Sequence, residues 1–201
     1  MSKHLQQPRS LDVPQRAPGL HWGIKDSFLD YVASTRDGQC TVGGGASPSP
    51  SGVFLFEPDR LARSAWPERR FTGEVRFEAH GGMLFVRVVD PWISVEDGQG
   101  VLSVLDPDSP DAQARLTLAT FALDVALIDP EQPWAVSDVR LAAAGTSIFD
   151  DVYPEREPFA PLLVVPGHSH PGRPAVERDQ NAIALDSVGR GANAEQEEEE
   201  A

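Results

Sequence analysis

The sequence predicts a mainly β domain, an antiparallel β-sandwich-like or curled sheet with two short helices. Three observations carry that prediction. Residues 71–77 alternate Phe71, Val75 and Phe77 with Thr72, Glu74 and Arg76, the period of a half-buried strand. From Val53 onward, short β-rich runs follow one another, separated by Pro, Asp and Gly clusters, a spacing that favours antiparallel pairing over βαβ units. Only two stretches carry a helical signal.

The first 19 residues are polar, contain proline and lack periodicity, and read as a flexible leader. The domain opens at Leu20. In HWGIKDSFLDYVAS, Ile24, Phe28 and Tyr31 fall at i, i+4 and i+7, which predicts a short amphipathic helix with those three on one face. TVGGGASPSPSG, Thr41 to Gly52, reads as a loop. Strands are expected at Val53–Phe56, Phe71–Phe77, Met83–Val89, Trp92–Val95, Val101–Leu105, Arg115–Val125 and Asp138–Ala142. TSIFDDVY, Thr146 to Tyr153, predicts a second short helix capped by Thr146 and stopped by Pro154. The apolar run Leu162–Val165 closes the domain at residue 166, and residues 167–201, ending in EQEEEEA, read as a disordered acidic tail.

Composition narrows the function classes. The formal net charge is −14, and within residues 20–166 there are 22 acidic against 11 basic side chains, so the body is acidic as well as the tail. Phosphate recognition needs clustered Lys and Arg, which argues against nucleic acid as a partner. Cys40 is the only cysteine, which removes intrachain disulfides and cysteine-based zinc or iron–sulfur sites. No apolar run reaches the ~18 residues that span a bilayer, and the leader lacks the apolar centre of a secretory signal. The expected setting is cytoplasmic without membrane insertion, or the envelope if translation starts elsewhere.

Tyrosine is scarce: Tyr31 and Tyr153 are the only two, with His80 of HGG at a strand end between them. From spacing alone they read first as amphipathic core residues and a turn histidine. Other candidates carry less. His168 and His170 lie in a proline-flanked segment without further obvious metal ligands. Gly43 to Gly45 lack the Lys-Ser/Thr of a phosphate loop, and Asp150 with Asp151 read as a solvated pair.

LHWGIKDSFLDYV, FTGEVRFEAHGGMLFVRVVDPWISV and LAAAGTSIFDDVYPEREPFAPLLVV, in that order over residues 20–166, resemble the HtaA-type haem-binding domain of Gram-positive haem uptake systems. The resemblance implies a β-rich fold and a pocket for haem b in the ferric state. It also implies an axial tyrosine at Tyr31, a supporting histidine at His80 and a second pocket tyrosine at Tyr153. Phe28, Ile24 and Met83, adjacent to these positions, are expected to wall the macrocycle. Ala79 stands where the family pattern has glycine. Phenolate is a hard oxygen donor that favours ferric iron, which suits transfer, trafficking or storage, with haem and another haem-carrier protein as partners. The rival readings are a haem-dependent enzyme, peroxidase-like or haem-degrading, and a cofactor-free β-sandwich interaction module.

Overall fold

The computed structural model describes residues 16–49, 51–62 and 66–167. The proposed leader and acidic tail, with His168 and His170, lie outside the described residues apart from their domain-proximal ends. In chain order the elements are β1 Gly19–Trp22, α1 Asp26–Ser34, β2 Gln39–Gly43, β3 Ala46–Pro48, β4 Phe54–Pro58, β5 Arg69–Thr72, β6 Glu74–Ala79 and β7 Leu84–Val89. There follow β8 Trp92–Glu96, β9 Gln99–Leu105, β10 Arg115–Ala122, β11 Trp134–Val136, β12 Val139–Leu141, β13 Pro158–Phe159 and β14 Leu162–Val165. Short 3-10 turns occupy His80–Gly82, Val125–Leu127 and Ala143–Phe149.

The pairing is antiparallel throughout. Eleven strands form one curled sheet in the order β11-β14-β1-β4-β5-β8-β9-β10-β12-β13, with β3 added on β4, and β2-β6-β7 form a separate three-stranded sheet. This bears out the mainly β expectation. Alternation places Val75, Phe77 and Ala79 of β6 and Val86 and Val88 of β7 inward, and all of these but Ala79 join Phe28, Phe54 and Phe56 in a shared core. Glu74 and Arg87, one on each strand, pair on the outer face at 2.8 Å.

Several sequence expectations need correction. Residues 71–77 are not one strand: the chain leaves the long sheet at Gly73 and continues in the smaller one. Asp90, where β7 returns, clasps that crossing, its Oδ1 accepting the Gly73 amide and its own amide donating to the Gly73 carbonyl, both at 2.8 Å. Arg115 fixes Asp90 in turn. Its guanidinium donates to the Asp90 carbonyl at 2.6 Å and to Ser103, and stacks 3.7 Å from the Trp92 ring centroid, with Arg70 4.0 Å from the same centroid. Burial lowers the Arg115 pKa to about 10, which still leaves it charged at neutral pH.

The segment 41–52, expected as a loop, contains most of β2 and all of β3, with Gly44 and Gly45 at the turn between them. Pairing partners rather than side-chain pattern make these strands, β2 lying on β6 and β3 on β4. The first helix begins at Asp26, and Ile24 lies outside it as a fully buried residue with φ 57°, a strained conformation for a β-branched side chain. The buried face of α1 is Phe28 and Val32, not Tyr31. The second helix is the 3-10 run Ala143–Phe149. Thr146 is not its cap but donates within it to the Ala143 carbonyl at 2.9 Å, and Tyr153 follows after Asp150 and Asp151, both left-handed.

Candidate functional site

Helix α1 carries Tyr31 at the margin of its buried face, and the residue is 46% exposed. Its backbone is pinned. The Tyr31 carbonyl accepts from Ser34 Oγ, Thr35 Oγ1 and the Thr35 amide at 2.9–3.1 Å, closing the helix on itself. Beneath it, Phe28 meets Phe77 of β6 edge-on at 5.1 Å and Phe149 at 5.4 Å, an aromatic contact that sets the helix against the small sheet.

The β6–β7 connection supplies the second group. His80, Gly81 and Gly82 all have positive φ, 54°, 65° and 90°, so the chain reverses within three residues and His80 is thrown out beside α1. Its Nε2 lies 2.5 Å from the Tyr31 hydroxyl, across 49 residues of sequence. Ala79 does not disturb this arrangement: it is extended, with φ −161°, a conformation open to any residue, and it is buried at 2% exposed. Met83 follows in the same turn and is 82% exposed.

The remaining expected residues sit deeper. Ile24 and Phe28 are core residues, 0% and 3% exposed, and present almost no surface to a ligand. Tyr153 is half-buried, edge-on to Phe149 at 5.7 Å and to Phe159 at 6.3 Å. The Lys25 ammonium lies 4.8 Å from the Tyr153 ring centroid. The structure thus joins Tyr31 directly to His80, and connects α1 to Tyr153 through Phe28 and Phe149.

Two residues at this site escaped the sequence reading. Lys25 is buried, with its ammonium donating to Glu157 Oε1 at 2.8 Å and the Pro158 carbonyl at 3.1 Å, which ties the start of α1 to the segment after Tyr153. Asp37 accepts the amides of His80 and Gly81 at 3.1 and 2.7 Å. These hydrogen bonds hold its carboxyl below its ordinary pKa, the Gly81 bond most strongly. An Asp-Gly pair just past a helix signals a turn, but nothing local names its partner 43 residues away.

A hydroxyl backed by an imidazole, half open to solvent, can exchange its proton with the ring nitrogen and present an oxygen to an electrophile. Among the described residues no group of three or more His, Cys, Asp or Glu side chains is arranged to hold a bare metal ion, and no helix is long and apolar enough to cross a membrane.

Comparison with solved structures finds the same fold. The C-terminal domain of HtaA from Corynebacterium glutamicum superposes with a TM-score of 0.56 at 23% identity, covering 73% of this chain and 94% of that one. The N-terminal domain of the same protein gives 0.56 at 22% identity, with 76% and 100% covered. The heme binding protein HtaB of that organism gives 0.54 at 22%, with 72% and 89% covered. No curated protein sequence matches the chain. The Htaa family model matches residues 18–165, well over half of the sequence, and the chain therefore belongs to the HtaA family.

Proposed function

We propose that this domain binds ferric haem through the Tyr31 oxygen and acts as a carrier in haem transfer, trafficking or storage, not as an enzyme. The observation that carries the reading is the 2.5 Å contact between the Tyr31 hydroxyl and His80 Nε2 at a half-exposed position. Membership of the family, and the fold shared with a heme binding protein, support it.

The donor set fits haem. One oxygen ligand cannot retain a bare ion, whereas iron already held by four porphyrin nitrogens needs only an axial partner. A free phenol titrates near 10, so coordination at neutral pH requires the proton to leave. His80 Nε2 is placed to receive it, and the resulting N–H then donates back to the phenolate, fixing its orientation. When bound, the macrocycle supplies a Lewis-acidic ferric centre; the protein supplies the oxygen, the proton acceptor and an apolar contact from Met83. Phe28 acts from beneath by holding α1 against Phe77 and Phe149, Ile24 is buried in the same core just before the helix, and Tyr153 contributes at the edge of the aromatic cluster. A hard phenolate favours ferric over ferrous iron, so reduction or a stronger ligand on another haem-carrier protein releases the cargo.

Titration of the purified chain with ferric haem, followed by absorbance, tests this. Saturation at one equivalent with a defined Soret band and a tyrosinate charge-transfer band is expected. Unsaturable binding without that band refutes the proposal.

A further inference from the structure

We infer that Asp37 is the positioning residue that holds His80 on Tyr31. The inference rests on the reading of Tyr31 as the iron ligand, and it extends that reading to a group that touches neither iron nor porphyrin.

The turn that carries His80 is unfavourable by itself. His80 and Gly81 are both left-handed, with φ 54° and 65°, a conformation that is unfavourable for a residue with a Cβ such as His80. Two consecutive amides in this conformation point to one side, where they need an acceptor. Asp37 supplies both: Oδ1 takes the His80 amide at 3.1 Å and Oδ2 takes that of Gly81 at 2.7 Å. A single carboxylate therefore stabilises the backbone geometry that aims the imidazole. The same two bonds hold the Asp37 carboxyl ionised below its ordinary range.

The placement of Asp37 is itself built. It follows three residues after the last residue of α1, so the segment that presents Tyr31 also grips the turn that presents His80. The chain is able to fold back there because Gly38 has no side chain: a Cβ at that position would stand 1.9 Å from the Val32 carbonyl oxygen. The Gly38 amide donates to Thr35 at 3.0 Å and closes the turn. The His80 turn is then held twice from one segment, by its backbone on Asp37 and by its ring on Tyr31. Without the carboxylate, His80 is free to relax to negative φ, and its ring leaves the phenol.

The test uses the full chain and D37N, D37A, H80A and D37A/H80A. Without haem, the ring nitrogen NMR signals of His80 report its bond to Tyr31. D37A is expected to move them to the values of a solvent-exposed imidazole, with D37N, which keeps one acceptor oxygen, in between. With ferric haem, D37A is expected to lose about tenfold in affinity, at the low end of what supporting groups behind a metal ligand contribute. The double variant should bind no more weakly than H80A, because both changes remove one interaction. Wild-type ring signals in D37A, or losses in D37A and H80A that multiply, overturn the inference. Failure of the wild-type chain to take up ferric haem overturns the ligand reading instead, and the haem-free spectra still decide the role of Asp37.

Discussion

Replacing Tyr31 by Phe separates the fold from the site. The change keeps the ring and its packing and removes only the oxygen. That oxygen makes a hydrogen bond to an exposed imidazole, and Tyr31 is 46% open to solvent, so both partners regain water when the bond is lost. An intramolecular hydrogen bond contributes about 0.5–1.5 kcal/mol net, and an exposed one belongs at the low end. For a domain of this size, 1 kcal/mol corresponds to about 2–4 °C in Tm, so a drop of no more than about 3 °C is expected. Affinity for ferric haem is expected to respond differently. Groups behind a metal ligand contribute about 10–100-fold, so loss of the ligand itself should exceed about 100-fold and abolish the tyrosinate charge-transfer band. Absorbance titration and thermal unfolding on the same samples give both numbers. Tyr153→Phe is the control: its ring sits against Phe149 and Phe159, and the band should persist with weaker retention. A band that survives Tyr31→Phe, or one that disappears only in Tyr153→Phe, refutes the assignment.

Phe28→Ala should destabilise the domain by about 3–5 kcal/mol, because it opens a cavity between Phe77 and Phe149 under α1; urea denaturation measures it, and a loss below 1 kcal/mol contradicts this packing. The Asp37 grip should be pH-dependent with a defined sign. A carboxyl whose folded pKa is depressed stabilises fully above its ordinary value, ~3.9, and that stabilisation is lost as pH falls through the lower folded value. The side-chain carboxyl carbon signal of Asp37 should therefore stay constant from neutral pH to about 5 and shift only below about 4. An inflection at or above the ordinary value shows that the carboxylate is not held by those amides.

The sequence by itself determined the strand-rich class, the order of the segments and the residues of the phenol–imidazole pair. Alternation is a local property: in residues 71–77 it records which side chains face inward whichever strand lies alongside; Tyr31, His80 and Tyr153 were legible through the resemblance of the ordered motifs around them to the HtaA family, since their spacing did not single them out. Only the tertiary structure decided what depends on partners distant in the chain. The 41–52 segment became paired strand because β6 and β4 offered open edges, against its glycine-rich composition. Ile24 and Phe28 went to the core because the helix starts later than its periodicity implies and turns Tyr31 outward instead. The split of 71–77 at Gly73 required Asp90, 17 residues on, and the aim of His80 required Asp37, 43 residues back. Hydrogen bonds to backbone amides across such separations leave no periodic trace, since any acceptor at the right point in space satisfies the donor, and that point exists only once the sheets have closed around the core.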